Sequence, residues 1–74
     1  MTPPTYSPEL GTKFKMQSAS GRWLSWQVRS EPIMSALWHW FVWCEPVGEW
    51  RRDGSLRVLT KMGLVPIDID MIPQ

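Results

Sequence analysis

The sequence predicts an all-β, mainly antiparallel fold, in the form of a small single-domain barrel or a strongly bent sheet of about five strands. Three observations lead to this prediction. Apolar and polar side chains alternate with period two along several short segments. Residues typical of turns, above all Gly and Pro, separate these segments at short intervals. The dipeptide Asp53-Gly54 stands between two extended runs, which is typical of a tight β-hairpin.

The chain has 74 residues, which limits it to one domain. Residues 1–11 contain three prolines and end in Gly11, and they predict a flexible Pro-rich arm. Residues 12–74 are predicted to form the single β-rich domain. A domain of this size buries only about 60% of its unfolded surface, so a few large side chains must supply its core. Six tryptophans are available for this purpose, and the sequence leaves open which of them are core and which are surface.

Two alternating runs, residues 12–17 and 22–29, predict the first β-hairpin, with a turn at residues 18–21. Trp23 falls on the polar face of the second run, so its ring is predicted to be exposed. The predicted inward set of the two runs is Phe14, Met16, Leu24, Trp26 and Val28.

Residues 36–44 are apolar on both faces except at His39, which predicts a central strand covered on both sides. A short helix over residues 31–40, with Pro32 in its first turn, is the alternative. Cys44 is predicted to be a small buried hydrophobe. His39 is predicted to be a strand residue with a satisfied ring nitrogen, and a pH-sensitive or interface role is its alternative.

A second hairpin is predicted over residues 49–60, preceded by a type I turn at residues 45–48 and closed at Asp53-Gly54. A two-residue loop at this position places Trp50 opposite Arg57, where the two side chains can form a cation–π pair. The side chains predicted to be largely buried are Leu24, Trp26, Val28, Trp40, Val42, Leu56 and Val58.

The last segment alternates apolar residues with Asp68 and Asp70, and Pro66 places the strand at an edge or a break. The order of elements from Glu49 onward resembles the end of a Src-homology-3-like barrel. In that family a Trp-bearing strand leads through a hairpin to Gly-Leu-Val-Pro, a short 3₁₀ turn and a last strand. This chain has Glu49-Trp50-Arg51-Arg52, Leu56-Arg57-Val58-Leu59 and Gly63-Leu64-Val65-Pro66. The resemblance covers the C-terminal third and implies a small-barrel topology.

The residue types argue against an enzyme, because one His and one Cys in an apolar segment do not make a nucleophile–base–acid set. No catalytic residue, metal ligand or cofactor is predicted: one Cys and one His cannot close a zinc site, and no phosphate-binding Gly pattern is present. No segment reaches the ~20 apolar residues of a membrane span, and the N-terminal residues lack a basic and an apolar region of a signal peptide. The predicted location is cytoplasmic.

Two functions remain after these exclusions. The first is a small non-enzymatic protein-binding module that occupies a macromolecular partner, a profile shared by phage- or mobile-element-encoded inhibitors of host protein complexes. The alternative is a small barrel that binds single-stranded nucleic acid through aromatic stacking and a basic groove, against which the net charge of only +1 argues. The oligomeric state is left open, a homodimer included. The predicted partner-binding residues combine aromatic anchors with cations: Trp23, Trp50, Arg51, Arg52 and Arg57.

Overall fold

The computed structural model describes residues 7–73 and contains one open antiparallel sheet. This confirms the predicted fold class, with six strands in place of about five and with the sheet left unclosed. The strands are β1 Lys13–Gln17, β2 Trp23–Val28, β3 Ile33–Met34, β4 Trp40–Trp50, β5 Leu56–Val58 and β6 Val65–Asp68. A 3₁₀ turn, Ile69–Met71, follows β6.

Strand β4 is the centre of the sheet, because four other strands pair with it. Cys44 pairs with Val28 of β2 and with Val65 of β6, so these two strands lie on opposite sides of β4. Phe41 likewise lies between β3 and β6. Among residues 7–73, strand β1 pairs only with β2, which confirms the predicted first hairpin.

Residues 45–48 continue β4 and do not form the predicted turn. Pro46 has no N–H to donate to a ladder, and the sheet accommodates it with a β-bulge. Trp26 of β2 pairs with Pro46 and its neighbour Ser25 pairs with Gly48, which leaves Val47 without a partner in β2. The extra residue reverses the inward and outward alternation along the second half of β4.

The core lies on one face of the sheet, called the inner face below. Its buried apolar members are Phe14, Leu24, Trp26, Val28, Val42, Cys44, Ile67, Ile69 and Ile72. Of the predicted core, Leu24, Trp26, Val28 and Val42 are buried, and Trp40 is half-buried and packs against the cluster. The prediction is wrong for Leu56 and Val58, which are 43% and 74% exposed. These two residues lie on the opposite, outer face of the sheet because their partners in β4 follow the bulge.

The apolar segment at residues 36–44 is a strand only from Trp40 onward, and no part of residues 31–40 is helical. Residues 35–39 form the turn between β3 and β4. His39 is therefore an exposed turn residue, and the prediction that it is a strand residue is wrong. Cys44 is fully buried, as predicted.

The hairpin between β4 and β5 is confirmed, but its register differs from the predicted one. Trp50 pairs with Leu56, and Arg57 pairs with Glu49 in place of Trp50. The loop has three residues because Gly54 N–H donates to the Arg51 carbonyl at 3.0 Å and Arg51 N–H donates to the Ser55 carbonyl at 2.9 Å. Gly54 has φ +88°, the left-handed conformation that such loops place at this position.

The Asp53 side chain fixes this loop from within. Its carboxylate accepts hydrogen bonds from the Ser55 hydroxyl at 2.6 Å and from the Ser55 N–H at 2.9 Å. These two bonds lower the pKa of Asp53 below its ordinary value.

The first and last segments of the described residues, 7–73, pack against the sheet. Gly11 N–H donates to the Val28 carbonyl at 2.8 Å, and Pro8 is buried. Residues 1–6 of the predicted arm lie outside the described residues. At the other end β6 pairs only with β4, so Pro66 lies in an edge strand as predicted.

Replacing Gly54 with Val is expected to destabilise the domain by about 1–2 kcal/mol or more, because an L-residue resists the left-handed conformation and a β-branched residue resists it most. Urea denaturation measures the loss. Gly54→Asn is the matched control, since Asn adopts this conformation readily. Equal losses in the two variants would contradict the assigned loop geometry.

Candidate functional site: an aromatic and cationic patch on the outer face

The outer face of the sheet brings together three side chains from three strands. Lys15 of β1 pairs with Ser25 of β2, which pairs with Gly48 of β4. Side chains of paired residues lie on the same face, and so do those two positions apart along a strand. Trp23 and Trp50 therefore flank this row. The alternation of β1 and β2 predicted the outward position of Trp23, which is 48% exposed.

The Lys15 ammonium lies between the two indole rings. Its Nζ is 5.4 Å from the centre of the Trp23 ring and 5.1 Å from the centre of the Trp50 ring. Both distances fall within the range of a cation–π interaction, worth about 0.5–1 kcal/mol at an exposed site. The predicted cation–π pair of Trp50 with Arg57 is wrong, since Lys15 occupies that role.

Strand β5 extends the aromatic pair with aliphatic surface. Leu56 pairs with Trp50, and Val58 pairs with Gly48. The Leu56 side chain covers Gly48 so closely that a Cβ at that glycine would lie 2.7 Å from Leu56 Cδ1. We call the continuous surface formed by Lys15, Trp23, Trp50, Leu56 and Val58 the outer patch.

Three members of the outer patch were not among the predicted partner-binding residues: Lys15, Leu56 and Val58. For Lys15 a usable pattern existed, because it alternates with Phe14 and Met16 and so had to face the polar side of the first hairpin with Trp23. For Leu56 and Val58 no local pattern was available, because their face depends on the bulge at Val47.

The predicted arginines do not lie in the outer patch. Arg51 and Arg52 are exposed in the loop that follows Trp50. Arg57 instead pairs with Glu49, at 3.6 Å between its Nη1 and the Glu49 Oε1. Glu49 pairs in β2 with the core residue Leu24 and so lies on the inner face. The structure therefore does not place Arg57 in the outer patch.

Trp50 is only half-buried, so the prediction of a surface ring is correct in part. Within residues 7–73 its indole N–H is a buried side-chain donor without a hydrogen-bond partner. Such an unmatched donor costs about 1–3 kcal/mol compared with a bonded one. Trp26 provides the contrast, because its indole N–H donates to the Met16 carbonyl at 3.1 Å.

The remaining reactive side chains do not form a second site. Burial raises the pKa of the Cys44 thiol to about 11, which keeps the thiol protonated and out of reach of solvent. Among residues 7–73, no group of three or more His, Cys, Asp or Glu side chains is placed to hold a metal ion. No helix in this part of the chain is long and apolar enough to cross a membrane.

Comparison with known proteins gives no relative: no family model, no curated protein and no solved structure matches this chain. The outer patch is therefore interpreted from its own chemistry.

Trp50→Phe is expected to cost at least about 1 kcal/mol less stability than Trp26→Phe. Trp50→Phe removes an indole N–H that has no hydrogen-bond acceptor. Trp26→Phe removes an indole N–H that is hydrogen-bonded and leaves the Met16 carbonyl without its donor. Urea denaturation of the two variants provides the comparison. A larger loss for Trp50→Phe would show that its N–H does have an acceptor.

The Cys44 thiol is expected to resist alkylation by iodoacetamide at pH 8 in the native protein and to react readily in denaturant, because only the thiolate is nucleophilic. The raised pKa also sets the pH dependence of stability. The unfolded thiol ionises near pH 9 and the folded one near pH 11, so this contribution is present below pH 9 and is lost as pH rises towards 11. Rapid alkylation of the native protein at pH 8 would contradict the buried position.

Proposed function

We propose that this protein is a non-enzymatic protein-binding module that works by occupying a macromolecular partner through the outer patch. The observation that carries the proposal is the continuity of this surface, which runs from the Trp23–Lys15–Trp50 stack onto the exposed aliphatic side chains of Leu56 and Val58. Aromatic side chains and Arg contribute most to the binding energy of protein interfaces. Monomeric soluble proteins rarely leave large contiguous apolar patches uncovered.

The chemistry of the outer patch favours a partner with apolar side chains and carboxylates. Lys15 lies within the patch, and Arg51 and Arg52 are exposed in the loop that follows Trp50. Guanidinium groups bind carboxylates through paired hydrogen bonds, and the indole rings supply rigid apolar area.

Binding of single-stranded nucleic acid is the second candidate, because two indole rings beside cations on an open sheet face can stack bases. Leu56 and Val58 argue for the protein partner. They lie next to Trp50, where a nucleic-acid-binding groove would need cationic side chains to contact the phosphates. Exposed aliphatic side chains cannot bind a phosphodiester backbone.

A role without catalysis is supported by the position of the two nucleophile and base candidates. Cys44 is buried in the core and His39 lies in an exposed turn. A protein with this arrangement acts by binding its partner and not by catalysis. The specific form that we propose is a cytoplasmic inhibitor encoded by a phage or mobile element.

Affinity capture tests this function. Wild-type protein immobilised through a tag is exposed to lysate of the cells in which the gene occurs, with and without nuclease. We expect a protein partner that is retained in stoichiometric amount after nuclease treatment. Trp23→Ser combined with Arg51→Ser should reduce the affinity for the purified partner at least about tenfold, since Trp23 is exposed in the patch and Arg51 is exposed in the loop that follows Trp50.

Met62→Ser is the matched control, because it removes an exposed apolar side chain outside the outer patch. Circular dichroism verifies that both variants are folded. Fluorescence anisotropy with a labelled single-stranded oligonucleotide tests the second candidate directly. Micromolar, salt-dependent binding of the oligonucleotide that the Trp23 and Arg51 substitutions abolish would overturn the protein-binding proposal.

A further inference from the structure

The turn between β3 and β4 presents two large apolar side chains to solvent. Leu37 is 78% exposed and Trp38 is 72% exposed. We call residues 35–39 the hairpin tip. It lies at the start of β4, whereas the outer patch lies at the end of that strand, so the two surfaces are separate.

The hairpin tip is held in one conformation by Ser35. The Ser35 hydroxyl oxygen accepts hydrogen bonds from the N–H groups of Leu37 and His39, each at 3.2 Å. The Ser35 N–H donates to the His39 carbonyl at 2.8 Å, and its carbonyl accepts from Trp38 N–H at 3.1 Å. Trp38 has φ +63°, a conformation that bulky residues rarely adopt. The indole is therefore presented by a rigid loop, so little conformational entropy is lost when it is covered.

Charge restricts what can cover the hairpin tip. Residues 30–50 contain no Lys or Arg, so nothing here attracts a nucleic acid or an anionic lipid surface. The titratable side chain of the tip is His39, whose imidazole can donate a hydrogen bond to a carboxylate.

The same protein carries a groove that matches this tip. A cavity of about 600 Å³ lies between the β1–β2 turn and the β6 edge. Its apolar lining includes Met16, Trp26, Val65 and Met71, and Asp68 supplies a carboxylate. A volume of this size and a mainly apolar lining are typical of sites that bind small, mainly apolar groups.

The hairpin tip and the groove are neighbours in one molecule. Asp68 of the groove pairs with Phe41, two residues after His39. A two-fold axis allows both contacts to form at once, because each copy then inserts its hairpin tip into the groove of the other. This arrangement closes on itself, whereas one-way insertion would propagate into a filament.

We propose that the protein forms a two-fold symmetric dimer in which the hairpin tip of each copy occupies the β1–β6 groove of the other. Leu37 and Trp38 fill the apolar lining, and His39 faces the partner's Asp68. The dimer leaves the outer patch free for the function proposed above, and its test does not depend on that function.

Sedimentation velocity of the purified protein from micromolar to millimolar concentration tests the dimer. The wild type is expected to pass from monomer to dimer in this range. A tip variant, Leu37→Ser with Trp38→Ser, and a groove variant, Met71→Lys, should each weaken the dimer at least about tenfold. All three side chains are exposed, and circular dichroism verifies that the variants fold. Met62→Ser, an exposed substitution outside both surfaces, should leave the dimer unchanged.

Mixing the two variants identifies the contact. The groove variant retains its tip and the tip variant retains its groove, so the mixture should form a heterodimer through one intact contact at concentrations at which each variant alone is monomeric. A mixture that remains monomeric, an unimpaired groove variant, or a wild type that is monomeric at millimolar concentration would each overturn the proposal. In the last case the hairpin tip is left to a different protein.

Discussion

The β-bulge at Val47 is the constraint on which the arrangement of side chains depends. Strand β4 pairs with four other strands, so it sets which face of the sheet each of them presents. Before the bulge Val42 and Cys44 point into the core. With uninterrupted alternation Trp50 would point there too, because it is an even number of residues away. The extra residue opposite β2 reverses the inward and outward alternation of side chains along β4, so Trp50 lies on the outer face.

Pro46 explains why the bulge is where it is. A proline in a central strand removes one ladder donor, and sheets accept it at edges and bulges. Here the register shift between Ser25 and Trp26 accommodates the missing N–H of Pro46. The Val47 carbonyl accepts a hydrogen bond from Leu59 N–H at 3.0 Å. The sheet thus keeps its pairing on both sides of β4 and gains a second apolar surface.

The net charge is +1, but the cationic side chains are distributed unevenly between the two ends of β4. Near the end of β4, the outer patch contains Lys15, and the following loop carries Arg51 and Arg52. Near its start, the hairpin tip has no Lys or Arg in the surrounding sequence, and Asp68 lies beside it. The two surfaces are roughly 30 Å apart along an eleven-residue strand. A separation of this size allows the two surfaces to bind independently and gives each its own selectivity for charge.

Local patterns in the sequence determined the all-β class, the first hairpin, the turn at Gly54 and the burial of Cys44, because period-two alternation and positive-φ glycines are properties of a few adjacent residues. They also determined that Trp23 faces outward. Tertiary structure alone decided the faces of Trp50, Leu56 and Val58, since a bulge is defined by the pairing of two distant strands. It also decided that Trp38 and His39 form an exposed turn, because an apolar run has the same composition in a buried strand and at a hairpin tip. The residues at which strand pairing overrode the local pattern thus lie in the two surfaces proposed to bind partners.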